Sequence, residues 1–210
     1  MFLVFNKQKI YSYIVAFTMV AILFGLTAGL NLTQNTQSIQ TAADGKELPI
    51  YSVDVKEKKI ALTMNCAWNA DDIDSILNTL KKHDTKITFF MVGDWVDKYP
   101  EAVAKIAEAG QEIGNHSDAH KHVNKLNMEE NIEQIKIASD KIEKITGKAT
   151  TLYRAPYGEY NNTVVRASKT ASHYMIQWNL DTLDYKGLTG EQMWQRLENN
   201  LAARKYYSDA

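Results

Sequence analysis

His116 and His120 stand four residues apart in NHSDAH (115–120), a spacing at which two imidazoles on one helical turn can face a common ion. No Glu follows the first of them, so the pair is not the HExxH of a zincin-type protease. The plainer reading is two exposed loop histidines, and His122 fits that description better than it fits a third ligand. RAPYG (154–158) sets Arg154 ahead of a proline that fixes the following backbone, as an ordinary surface turn also would. DTLDY (181–185) offers two acids three apart, Asp181 and Asp184, suited to a hydrolytic site or to capping a helix. IALTMNCAW (60–68) alternates Ile60, Leu62 and Met64 and then stops at an amide and a thiol, Asn65 and Cys66.

These clusters need elements to hold them, and the chain supplies alternating strands and helices from residue 50 onward. Ile60–Met64 is expected as a strand. Ile73, Ile76, Leu77 and Leu80 fall at i, i+3, i+4 and i+7, one apolar face of a helix with acids in its first turn. Ile87–Val92 is a continuous apolar run, as in a parallel strand buried on both faces. A helix opens at Pro100 and closes at Gly110, Glu112–Asn115 is a short strand, and a long helix is stopped by Gly147. Leu152–Arg154 and Tyr174–Trp178 are strands around a helix over Thr163–Ser172. Thr189 and Gln192 make a capping box for a last helix carrying Met193, Trp194, Leu197 and Leu201. The pattern predicts a parallel sheet, barrel or doubly wound, with Asn65-Cys66, Gly93-Asp94, Asn115-His116, Arg154 and Asn179–Asp184 all at strand C-termini. In parallel barrels that rim carries the active site.

The chain has 210 residues, enough for one sizeable core, and 24 Lys+Arg against 25 Asp+Glu leave no basic field for nucleic acid. One cysteine excludes an internal disulfide. Lys7 and Lys9 precede Tyr11–Leu30, a stretch without a charge and long enough to span a bilayer. The expectation is a cytoplasmic segment 1–9, a membrane anchor over 10–30, a flexible linker over 31–49 and an extracytoplasmic domain over 50–210. Secretion after signal cleavage is the alternative.

In the order and spacing of these motifs the chain resembles the NodB-type polysaccharide deacetylases, carbohydrate esterase family 4, from about residue 50 to about residue 197. IALTMNCAW stands where that family has Thr-Phe-Asp-Asp-Gly, NHSDAH where it has its metal-binding histidines, RAPYG for its Arg-x-Pro-Tyr and DTLDY for its Asp-x-x-Asp-Trp. The resemblance implies an α/β fold, a distorted parallel (β/α) barrel, in a monomer that removes N-acetyl groups from N-acetylglucosamine or N-acetylmuramic acid units of cell-wall polysaccharide. It implies a divalent metal, usually zinc, on an Asp and two His, here His116 and His120, activating water and polarising the acetamide. An Asp base and a late His acid move the protons. Arg154 would orient the base, the Tyr157 N–H would hold the oxyanion, Asp184 would tune the acid and Asp181 would support that loop. Another metal-dependent barrel hydrolase, such as an amidohydrolase, lacks its usual His-x-His here.

Two departures stand out. Asn65 occupies the base position, and an amide takes no proton at useful pH; Cys66 occupies the metal-ligand position. Cys66 would complete a Cys-His-His zinc site as a thiolate, or pack as a small buried hydrophobe. Asp72 would reach back as the missing carboxylate, or serve only as a favourable first-turn acid. The family's fifth motif, Leu-x-His, has no counterpart, and LAARKYYSDA stands in its place. Codons for Arg204–Ala210 read one base later permit Ile-Ile-Leu-Met-His, so the tail from about residue 202 is expected to be a frameshifted closing strand. A domain short of that strand and that acid would have low stability, and a catalytically inactive glycan-binding relative is the alternative function.

Overall fold

The structure is a computed structural model that describes residues 45–53 and 59–205, the last four as backbone only. All lie in the unit Ala42–Ala210. The expected anchor over 10–30, the segment 1–9, most of the linker and the final residues 206–210 lie outside the described residues. No helix among the described residues is long and apolar enough to cross a membrane.

Five strands are joined by helices: β1 (Thr63–Cys66), α1 (Ile73–Lys82), β2 (Thr88–Met91), α2 (Gly93–Lys98), α3 (Pro100–Glu108), β3 (Glu112–Asn115), α4 (Met128–Thr146), β4 (Leu152–Tyr153), α5 (Asn162–Thr170), β5 (Tyr174–Met175) and α6 (Gly190–Lys205). The strands form one sheet in the order β1-β2-β3-β4-β5, and every pairing is parallel. Sequential parallel order is how a (β/α) barrel is wound. Among the described residues β1 is an edge, while β5 is extended by Ile50, which bridges Ile176 in parallel. The register Asn65↔Phe90, Met91↔Asn115 and Asn115↔Tyr153 brings the C-terminal ends of the first four strands to one level.

The core lies in two clusters. One joins Cys66, Ile73, Phe89, Met91, Trp95, Val103, Ile106 and Ile142 beneath α1–α4; the other joins Ile135, Tyr153, Val164, Val165 and Met175. β2 is buried at all four positions, which is why its sequence is an unbroken apolar run. β3 carries Gly114 against β2 because a Cβ there would lie 2.6 Å from the Phe90 ring. α4 opens with a capping box between Asn127 and Glu130 and closes on Gly147 at φ 69°, the left-handed position glycine favours.

Three expectations shift. Pairing of the first strand begins only at Thr63↔Thr88, where β2 runs alongside, so Ile60 and Leu62 stand out to solvent. α2 is an extra helix, short and bounded by Pro100, that buries Trp95 and Val96. The end of the linker is pinned to the domain: Glu47 bonds Lys169 at 2.8 Å and takes the Asn162 side chain on its own N–H at 2.9 Å.

Candidate active site

The loop after β3 is fixed from beneath. Asn115 is fully buried, donates to the Ile135 carbonyl at 2.7 Å and to Ser139 Oγ at 2.9 Å, and accepts from the Ser117 N–H at 2.8 Å. Gln134 Oε1 accepts from the Ala119 N–H at 3.0 Å. Gly93 allows α2 to abut the same loop, since a Cβ there would meet Asp118. Two helices, α4 and α2, thus hold the loop that carries His116 and His120. The sequence marks Asn115 only by its place at a strand end and gives Gln134 no distinguishing mark, because a positioning amide looks like any other until its partners are in place.

His116 is buried, and its Nδ1–H donates to the Arg154 carbonyl at 2.7 Å, which leaves Nε2 as the unprotonated nitrogen. Burial pushes its pKa down to about 3, so the ring is neutral. His120 lies with its ring centroid 5.1 Å from that of His116, near perpendicular, and burial lowers its pKa too. The two imidazoles meet at the rim, but on an irregular loop with Ser117 and His120 at positive φ and not on the helical turn their spacing suggests.

Arg154 is 3 % exposed and spans β4 to β1. Its Nη1 donates to Thr63 Oγ1 at 2.9 Å and to Asn65 Oδ1 at 3.0 Å, and its guanidinium lies 4.1 Å over the Phe90 ring. Its Nε is buried without a hydrogen-bond partner. Burial pulls its pKa down to about 10, countered only by the field of Asp181. Asn65 is therefore held by Arg154 through its neutral carbonyl oxygen.

Tyr157 adopts φ 59°, ψ 7°, a left-handed conformation rare for an aromatic residue and characteristic of functional sites. Its ring packs edge-on to His120 at 4.7 Å and parallel to His122 at 4.3 Å. His122 is the exposed loop residue its sequence suggests, and its Nδ1–H donates to Glu159 at 2.7 Å. Asp181 accepts from the Leu183 N–H at 2.9 Å and lines a pocket of about 170 Å³ with Trp178, Asn179 and Arg196. Asp184 stands exposed at the start of the turn Asp184–Lys186.

Cys66 and Asp72 do not join the histidines as donors. The Cys66 thiol packs in the core at 2 % exposure, where burial, reinforced by Asp72, pushes its pKa up to about 12. A thiol so placed is protonated, so the reading as a small buried hydrophobe is the one the packing favours. Asp72 is exposed at the N-cap of α1. Among the described residues no group of three His, Cys, Asp or Glu is arranged to hold a metal ion. The histidine pair fits a metal; the third donor the family's chemistry calls for does not.

Residues 52–176 match the family model described as polysaccharide deacetylase. The chain belongs to that family. It is 30 % identical over 150 residues to a peptidoglycan-N-acetylglucosamine deacetylase of Bacillus cereus, covering 71 % of this chain and 54 % of that one. Among solved structures it is similar to a carbohydrate esterase family 4 pseudoenzyme from Bacillus anthracis, with a TM-score of 0.70, 33 % identity, and 72 % of this chain against 54 % of that one covered. A mutant of that pseudoenzyme with restored enzymatic activity matches at the same TM-score and identity, over 72 % of this chain and 56 % of that one. The five-stranded parallel sheet is thus the NodB-type sheet of this deacetylase family, and the chain spans about half the length of the curated relative it matches.

Proposed function

We propose that the rim of the sheet is a carbohydrate N-deacetylase site directed at N-acetylated cell-wall glycan, with its hydrolysis attenuated by the residues at positions 65 and 66. The observation that carries this is the join of three strand ends: Arg154 gives its carbonyl to His116 and its guanidinium to Asn65. That join ties residue 65 and His116 to one arginine, so that a group at position 65 and the histidine pair would act on the same acetamide. The peptidoglycan deacetylase relative supports the wall glycan as substrate class.

Among the described residues the water-activating side of this frame lacks two groups. Asn65 accepts a hydrogen bond but takes no proton, so water attacking the acetamide carbonyl has no base there. Bound metal, zinc in the usual case, would supply Lewis-acid activation of water and carbonyl, and His116 and His120 would hold it. Their set stays at two because the Cys66 thiol is buried and protonated. What remains is orientation: the Tyr157 N–H lies on a strained turn where an oxyanion would sit, and Arg154 fixes residue 65. Residues 10–30 would anchor this domain on the outer side of the membrane, within reach of the wall.

A second reading is favoured by the same two residues: a protein that binds wall glycan and does not turn it over. Co-sedimentation with purified peptidoglycan, with acetate measured in the supernatant, separates the two. Binding with slow acetate release supports the attenuated enzyme, binding without acetate the glycan-binding relative, and no binding contradicts both.

A further inference from the structure

Trp68 is 73 % exposed at the rim of the site, an unusual setting for the largest apolar side chain. Its main chain is nonetheless fixed. The buried Trp95 indole donates to the carbonyl of the next residue, Asn69, at 2.9 Å, and β1 ends only two residues before Trp68. An exposed ring on an anchored loop is presented, not merely left over.

The neighbouring rings continue from it. Trp68 lies 5.7 Å from His120, His120 lies 4.7 Å from Tyr157, and Tyr157 stacks on His122. Tyr157 is 56 % exposed, and His122 is tied to Glu159, whose second carboxylate oxygen accepts from the Asn124 N–H at 3.3 Å. The result is a contiguous aromatic shelf with solvent-facing rings on both sides of His120.

We propose that Trp68 and Tyr157 form a stacking platform for the pyranose rings that flank the acetamido group brought to His116 and His120. The proposal rests on the reading of the site as one for N-acetylated glycan, and it names the residues that seat the polymer. One face of a β-linked pyranose is a flat array of C–H bonds with slight positive charge, and an aromatic face carries the complementary negative quadrupole. Stacking requires no charge on the ligand, which suits a neutral N-acetylhexosamine polymer. The shelf sets the chain's grip on the glycan independently of the residues that limit its chemistry.

The test is calorimetric titration of the full chain with a β-1,4-linked tetramer of N-acetylglucosamine, comparing the parent with Trp68→Ala, Trp68→Phe and Trp194→Ala. Trp194 is 56 % exposed on α6 and controls for loss of any surface indole. Trp68→Ala should weaken binding about tenfold or more, and Trp68→Phe should stay within about threefold of the parent. Trp194→Ala should bind as the parent does, and melting points of all four should agree within about 2 °C, as for surface substitutions. Parent-like binding by Trp68→Ala overturns the platform and leaves the glycan reading standing. A parent that binds neither the tetramer nor purified peptidoglycan overturns both.

Discussion

Asn65→Asp sets a charge on the exposed side chain that the buried Arg154 holds, and the structure sets the size of the effect. Arg154 is buried with neutral acceptors on Nη1, and burial pulls its pKa from 12.5 to about 10. At ~1.4 kcal/mol per decade, that is about 3 kcal/mol set against folding at neutral pH. A carboxylate has the shape of the amide it replaces, so packing is unchanged. At about 4 Å and an effective dielectric near 20, opposite charges attract by ~4 kcal/mol. Residue 65 is exposed, so solvent screening removes more than half of this and leaves a net gain of about 1–2 kcal/mol. For a domain of this size the melting point should rise by roughly 3–6 °C at pH 7. The sign with pH follows from linkage. The new carboxyl's folded pKa lies below its unfolded value of about 3.9, so the gain is full above that value and fades as pH falls through the folded pKa. Melts of parent and variant at pH 7 and at pH 2 should therefore differ at the first and converge at the second. No rise at pH 7, or a gap that persists at pH 2, would refute the view of Arg154 as a buried cation whose hydrogen-bond acceptors are all neutral.

Other outcomes follow from the same geometry. With its thiol pKa near 12, Cys66 should resist alkylation in the native chain at pH 8 and react on unfolding; fast native labelling would return it to the list of metal donors. His173 is buried with Nδ1–H donating to Ala171 and Nε2 accepting from Thr150, and burial lowers its pKa, so the unfolded chain binds more protons below about pH 6.5. Stability should fall as pH drops from there, and His173→Gln should flatten the fall; an unchanged pH profile would contradict this. Gly114→Ala would set a Cβ 2.6 Å from the Phe90 ring and 3.3 Å from the Leu152 carbonyl, and denaturant melts should show a loss of about 2–3 kcal/mol rather than a neutral change.

What the sequence discloses depends on the range of the forces involved. The α1 stripe, the Pro100 start, the Gly147 stop and the Thr189–Gln192 capping box are local, and each stands where the residues indicate. So does Glu112–Asn115 as a strand. The Ile60–Leu62 alternation fails because burial of a strand requires a neighbour, and β2 begins its pairing at Thr63. α2 is hidden by its six-residue length, too short for a periodic signal. At the site, the meeting of His116, His120 and Arg154 is legible from motif order. Cys66 is left between thiolate donor and small buried hydrophobe, and only the packing decides, because β-strand alternation names a face but not what lies on it. His122 is the exposed loop residue expected, but its partners, Tyr157 and Glu159, are not legible because they come from a loop more than thirty residues away.

The central claim is that two side chains, and not the frame around them, limit this site. Its most direct test is acetate release from N-acetylated glycan by the parent and by the double variant Asn65→Asp with Cys66→Asp, each supplied with a divalent metal. The expected result is acetate release by the double variant at a rate at least about a hundredfold above the parent, the scale of a restored general base. A correctly folded double variant that binds glycan and releases no more acetate than the parent would contradict the claim and place the deficit elsewhere in the chain.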